Sequence, residues 1–548
     1  AKRLAVHALK RDYGFASIRD DSPRFRDFEL EKDRVVLNFD NVDEFYVYNQ
    51  QYCSPSNGFE ICGTNGVWQP AKIMNFRKVM RHATSRFLGH FNGNRITLST
   101  EGIASPKGVR YLYSRPWYGS IYNEVCLPLG SFEVDISKEL APQPLDLQAK
   151  IDAAAASGGG TVAVAPGCWE TKPFVLRSGV TLDLADGAVV CASTNLADYS
   201  AQEGERTFVS ATDATDVTIR GRGVLDGRGY VFRETAAWRM KGESQPQALP
   251  VMMRFTRCRN LKLEDFTYRR CGAWGCHLRN CDGVTARRLR CFNHNNKTND
   301  GIDIESCNVT IEDCDFDADD DALVIKTESD VTFPVTNIVV RNCRLASCCN
   351  GLKAGSGSYC TVRDVLMENC RVERPAKDWR FRWFDIIPGV TNRLTANTAL
   401  NFAVVDGGRL ENLTVRNVTF AGVRVPVCFR LGRRHANTDG QPVYMRNVHI
   451  ENFRGSCEST VACQITGIRD GLRPEKFVFR NVDITFPGGE RKPDTPVIEK
   501  DDAFPGPWMF DTHVMPSYAF FLRHVDRVTF DNVKVRTAGP DERPAIWL

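Results

Sequence analysis

A short strand-like phrase returns ten times along this chain and limits what the chain can fold into. It reads DVTIR from Asp216, NLKLE from Asn260, GVTAR from Gly283, NVTIE from Asn308, NIVVR from Asn337, DVLME from Asp364, NLTVR from Asn412, NVHIE from Asn447, FVFRN from Phe477 and RVTFD from Arg527. The starts fall 23 to 50 residues apart. Repeats of this length, each too short to bury its own apolar face, stack into a solenoid. Each phrase alternates apolar and polar residues, the period of a strand with one buried face. Most carry Asn or Asp at a turn, where a left-handed backbone is tolerated and a side-chain amide can bond the amide one rung away. We therefore expect an all-β fold, a single-stranded parallel β-helix, right-handed by the general preference of crossover connections. Several β-sandwiches in series are the alternative, opposed by the scarcity of two-residue hairpin turns after residue 140. The longest gaps between phrases hold either a degenerate rung or a loop.

Ahead of the repeats the pattern differs. Residues 1–18, opening AKRLAVHALKRDYG, have helical spacing. From residue 19 to 136 come short strands with polar turns, RVVLNFDNV, GFEICGTNGVWQPA, NRITLSTEGI and GVRYLYSRPW, with Asn-Gly at Asn65 and Asn92. This predicts a small antiparallel β-sandwich or barrel. Residues 137–548 then form the β-helix. A helix with apolar Leu147, Ile151 and Ala155 stops at Gly158 to Gly160, and a terminal rung needs such a cap. The chain begins at Ala1 without a start methionine and reads as an excerpt from a longer protein.

Composition narrows the partners. The 71 basic and 67 acidic residues nearly balance, which offers no field for nucleic acid or an anionic membrane, and no apolar run is long enough to span a bilayer. We expect a monomer. Of the 20 cysteines, twelve lie between Cys258 and Cys370, several at rung-like positions such as Cys307, Cys314 and Cys343. Stacked free thiols are the leading reading, with disulfides and metal as alternatives. CGAWGC from Cys271 lacks the paired CxxC spacing of a zinc site, so no metal or cofactor is expected.

The chemistry gathers between Asn299 and Ser356. Three blocks there superpose: DGIDI from Asp300, DALVI from Asp321 and NGLKA from Asn350, offset by 21 and 29 residues. Neighbouring strands lie about 4.8 Å apart, so coiling would make Asp300 a neighbour of Asp321. Asp319, Asp320 and Asp321 stand in a row, and crowded carboxylates raise one another's pKa, which suits acid and base chemistry. Alternation sends Asp303, Val324, Lys326, Lys353 and Gly355 outward; Asp300 and Asp321 escape their inward parity if they sit at the corner before the strand.

Residues 140–548, through NDGIDI at Asn299, DDDALVIK at Asp319, and the pieces CFRLGRRH, QITGI and FLRHVDRVTFDNVKVRTAGPDERPA, resemble glycoside hydrolase family 28, the polygalacturonase and rhamnogalacturonase group. The resemblance implies inversion at the sugar: Asp320 protonates the leaving oxygen, while Asp300 and Asp321 activate water on the opposite face. Asn299 and Asn350 would line the site, and Lys326, Lys353 and Arg430 would hold a substrate carboxylate. Two departures stand out. Cys349-Asn350-Gly351 replaces the family's His between glycines, so Asn350 takes that place or the role is empty. The Arg and Lys two apart of a fourth motif have no clear match, Arg380 and Arg382 sharing only the spacing.

Residues 1–135, closing on YNEVCLPLGSF, resemble the C-terminal part of sialate O-acetylesterase-like SGNH esterases and hold none of their catalytic residues. Together the resemblances imply an inverting hydrolase of a pectic or other acidic plant polysaccharide, fused to an upstream acetylesterase and working outside the cell or in the periplasm. A polysaccharide lyase acting on uronates, or a non-catalytic carbohydrate-binding solenoid, remain as alternatives. For the Asp cluster alone, a calcium site or a solvated turn is the plain reading. His277 and His294 read as turn or core-edge residues.

Overall fold

The computed structural model describes residues 21–136 and 142–548, apart from 32, 49–57, 79–86, 92, 104, 113–120, 125, 200, 203–204, 233–248, 295–297, 329–332, 376–394, 436–439, 470, 492–505 and 507–514. The expected helix over 1–18, the turn at Asn92, and Arg380 with Arg382 lie outside the described residues. The chain divides into two compact units, one ending at Gln143 and the other beginning at Pro144.

Among the described residues of the first unit every strand pairing is antiparallel, in three small sheets. Arg34–Asp40 is central to one of them, flanked by Arg24–Glu31 and Arg95–Ser99. Phe39, Phe45, Phe59, Phe91 and Tyr111 are fully buried in its core, which aromatic rings fill with large apolar area. The Asn65–Gly66 turn is present: the Gly66 amide donates to the Gly63 carbonyl at 3.0 Å.

The second unit is a parallel β-helix whose strands stack on three faces. The ten recurrent phrases form one face in strict register. Val217, Leu261, Val284, Val309, Ile338, Val365, Leu413, Val448, Phe477 and Val528 stack one above another. The coil is a column of like side chains, and one continuous apolar core runs from Leu147 to Leu522. Consecutive phrases pair directly even across the longest gaps, Asp216 to Asn260, Asp364 to Asn412 and Phe477 to Arg527. Those gaps therefore hold insertions and no hidden coil.

The turn residues behave as their chemistry requires. Asn308, Asn337, Asn412 and Asn447 open their phrases at φ of 53° to 58°, the left-handed region that Asn tolerates better than most residues. Their amides form an exposed ladder: Asn308 donates to Asp282 at 2.7 Å, Asn337 to Asn308 at 2.8 Å, and Asn447 to Asn412 at 3.1 Å. A second ladder five residues along joins Asn369, Asn417 and Asn452. The 19 described cysteines are free thiols, and Cys258, Cys281, Cys314, Cys343 and Cys370 pack in the apolar core. The helix Leu147–Ala156 is capped by Asp146, whose carboxylate accepts from the Ala149 amide. It buries Leu147 and Ile151 against the first coil and stops where Gly158 turns to φ +87°.

Candidate active site

The chemistry lies on a different face from the recurrent phrases. Its strands are the opening parts of Cys276–Arg287 and Ile302–Glu312, then Leu323–Thr327, Asn350–Ser358, Ala396–Val404 and the closing part of Arg409–Leu431. Core positions Ile302, Leu323, Leu352 and Leu400 stack in register, and so do the outward positions His277, Asp303, Val324, Lys353 and Asn401. Asp300 and Asp321 sit just before the strands that begin at Ile302 and Leu323. At that corner alternation does not apply, and the side chains are free of the core parity that would have pointed them inward.

Backbone hydrogen bonds tie the three blocks together at this corner. The Gly301 amide donates to the Asp321 carbonyl at 2.9 Å, the Asp320 amide to the Asn299 carbonyl at 3.3 Å, and the Ala322 amide to the Asn350 carbonyl at 2.9 Å. Gly301 has to be glycine, because a Cβ there would meet the Ala322 carbonyl oxygen at 2.3 Å. Asp300, Asp321 and Asn350 thus occupy one corner on consecutive coils, with Asp320 beside them. All are nearly closed off from solvent. Asp320 is the most open at 9% exposed, against 3% for Asp300 and 2% for Asp321.

Cations and amides hold these acids in different ways. Lys353 Nζ lies 2.7 Å from Asp321 Oδ2, and Asn350 Nδ2 donates to Asp321 Oδ1 at 2.5 Å. Asn350 is itself held, accepting from Thr398 Oγ1 at 2.6 Å and Asn401 Nδ2 at 3.1 Å. Lys326 Nζ lies 2.5 Å from Asp303 Oδ1, 3.8 Å from Asp300 Oδ2, and 3.7 Å above the Trp274 ring. Both lysines were expected as outward cations for a substrate; both instead pair with acids inside the cluster. A buried ammonium left alone would be far too costly. Burial opposes the charge on each, but Asp303 and Asp300 outweigh it for Lys326, and Asp321 for Lys353, raising both above the ordinary lysine value.

Asp300 has the opposite environment. Burial, then Asp303, then Asp320 push its carboxyl well above the usual carboxylate range, and burial also raises Asp303. The cluster therefore keeps a proton where isolated aspartates would have lost theirs. Asn299 is fully buried, and its amide donates to the carbonyls of Cys271 and Ala273 at 3.2 and 2.8 Å; it holds the coil below in place. Arg430, 3% exposed, is two coils beyond Lys353.

Residues not singled out as site members surround the expected ones. Asp303 was legible as outward-facing, yet its pairing with Lys326 was not. Trp274, Thr398 and Asn401 carry no sequence pattern that marks them, because they reach the cluster only through coiling. His277 and Glu305 are fully enclosed neighbours on the same face, with His277 Nε2 3.5 Å from Glu305 Oε1.

Comparison with known proteins follows the same outline. The family model of glycosyl hydrolases family 28 matches residues 175–499. A probable polygalacturonase of Vitis vinifera is 26% identical over 235 residues, 39% of this chain and 47% of that protein, so the chain spans about half the length of this curated relative. The exopolygalacturonase of Thermotoga maritima superposes with a TM-score of 0.53 at 20% identity, over 72% of this chain and 87% of that one. A carbohydrate acetylesterase from Xanthomonas citri aligns over 24% of this chain and 27% of its own at 24% identity, with a TM-score of 0.19.

Proposed function

The chain belongs to glycosyl hydrolases family 28, and from that premise we propose that it hydrolyses glycosidic bonds in a pectic or other acidic polysaccharide with inversion at the anomeric carbon. One observation carries the reading: Asp300 and Asp321 occupy one corner on consecutive coils, with Asp320 alongside them. Hydrolysis with inversion needs a protonated acid on one side of the bond and an ionised base for water on the other. Asp320, the most open of the three, is the proposed acid that protonates the leaving oxygen. Asp321, held between Lys353 and Asn350, is the proposed base, working with Asp300 on the attacking water. Burial and the neighbouring acids keep the Asp300 carboxyl above the usual carboxylate range, so Asp300 is proposed to orient the attacking water while Asp321 is its base.

Asn350 stands where a His was expected, and it can donate to a carboxylate but cannot exchange a proton with one. Its role here is to orient Asp321. Lys326 and Lys353 set the charge of the cluster, Asn299 fixes the turn, and Arg430 is the proposed partner of a substrate carboxylate. The first unit is proposed to be the closing part of an SGNH esterase whose catalytic residues lie upstream, which would let one protein deacetylate and cleave the same polymer. A secreted or periplasmic location and a monomeric state belong to the same proposal.

The test is turnover of purified protein on a panel of acidic polysaccharides, following reducing ends, ultraviolet absorbance and the anomer first released. Inverted product without new absorbance is expected; an unsaturated uronide would make the protein a lyase. Asp320→Asn should lower kcat by about 10²–10⁴-fold, the span of general acid catalysis, with binding retained. Unchanged turnover in this variant would remove Asp320 from the mechanism.

A further inference from the structure

Behind the acidic corner, on the adjoining face of the coil, three side chains of different chemistry meet. Asn293, Ala318 and Ser347 are in register on consecutive coils. The next residue of each coil is His294, Asp319 and Cys348, with the Asp319 amide donating to the Asn293 carbonyl at 2.9 Å and the Cys348 amide to the Ala318 carbonyl at 3.1 Å. All three side chains are buried. A ring nitrogen of His294, a carboxylate oxygen of Asp319 and the Cys348 sulfur lie within 4.8 Å of one another.

The state of His294 is the second observation. Its Nε2 is engaged with Asp317 Oδ1 at 2.7 Å, and Asp317 is anchored in turn by Arg344 at 3.0 Å. Asp317 as acceptor assigns a proton to Nε2 and aims Nδ1 into the cluster, where an ion would take the place of any proton that Nδ1 carries. Nδ1 is buried without a hydrogen-bond partner, and it lies 3.8 Å from Asp319 Oδ1. That separation is too long for a hydrogen bond but close to the edge of a coordination tetrahedron, about 3.4–3.6 Å for ligands at about 2.0–2.3 Å from zinc. A carboxylate gripping the far nitrogen of a metal-binding histidine is the usual outer support of such a ligand.

We propose that His294 Nδ1, Asp319 and Cys348 form a binding site for a divalent ion of borderline softness, Zn²⁺ foremost. The donor set of nitrogen, sulfur and oxygen suits zinc and excludes magnesium and calcium, which take oxygen. On binding, the Cys348 thiol gives its proton to solvent; the thiolate and the Asp319 carboxylate then balance the two positive charges of the ion, so the buried site is neutral. Three protein ligands leave one tetrahedral position for water. The ion would pin three consecutive coils at Asp319, the residue next to Asp320, and so brace the acidic corner from behind.

The test uses the full chain, stripped with a chelator and reloaded with Zn²⁺ or Co²⁺. Stoichiometric zinc should survive desalting, and the Co²⁺ form should show thiolate-to-cobalt charge-transfer absorption in the near ultraviolet. Cys348→Ser should abolish that absorption while Cys349→Ser keeps it, and Asp317→Asn should weaken binding by about 10–100-fold. Failure of the wild-type chain to retain either ion overturns the proposal, as does a Co²⁺ form without the thiolate band, which needs no variant to fold. Loss of the band in Cys349→Ser with retention in Cys348→Ser would move the ion to the Asp320, Asp321 and Cys349 side and also overturn it.

Discussion

Asp300 is costly to keep where it is. Burial and the neighbouring Asp303 and Asp320 raise its carboxyl pKa, so the folded chain binds a proton there that the unfolded chain releases above about pH 3.9. Between that value and the raised one, the folded state holds more protons, and stability falls as pH rises. Asp300→Asn keeps the shape and removes the charge. The variant should match wild type in acid and become the more stable protein toward neutral pH, as read by chemical denaturation across a pH series. A variant less stable than wild type at neutral pH would show that Asp300 is stabilised as a carboxylate. At this scale the sequence marked the three aspartates through their block spacing. It did not mark Trp274, Thr398 or Asn401, which lie 26, 77 and 80 residues from Asp321 or Asp300 and gain meaning only from register.

Between neighbouring coils, a buried polar tie outside the site joins Val224–Asp226 to Thr267–Arg269. Asp226 is fully buried and accepts from Arg269 Nε at 2.8 Å, Arg270 Nε at 2.9 Å and the Arg228 amide at 3.1 Å. Burial opposes its charge, yet Arg270 and Arg269 outweigh burial and hold the carboxyl well below the usual range. Stability from this group is therefore present above the unfolded pKa and lost as acid protonates the folded carboxyl. Asp226→Asn leaves the buried Arg270 and the part-exposed Arg269 without their anion and should lower unfolding free energy by about 3–5 kcal/mol, seen as an earlier denaturant midpoint at unchanged slope. At the scale of elements, the recurrent phrase was legible because stacked strands need like residues at like positions. The wide gaps were not, since a degenerate coil and an insertion have similar composition; only the direct pairing of Thr215–Arg220 with Arg259–Glu264 separates them.

Every residue assigned to the glycosidase site lies beyond Pro144, in the second unit. A chain of residues 144–548 should therefore keep kcat and KM of the full protein within about twofold on the same polysaccharide, because every assigned residue, the cap helix Leu147–Ala156 and the coil core belong to one unit with its own core. A loss of activity in a folded truncation would show that the first unit contributes to the site. Sequence alone determined the coil, since repeat length and strand period are local properties of the chain, and it offered the two-part organisation and the three aspartates as expectations. The partners of those aspartates were decided by tertiary structure. Coiling superposes residues tens of positions apart, and a buried charge takes whichever counter-charge the neighbouring coil brings within reach, so Lys326 and Lys353 face acids instead of solvent.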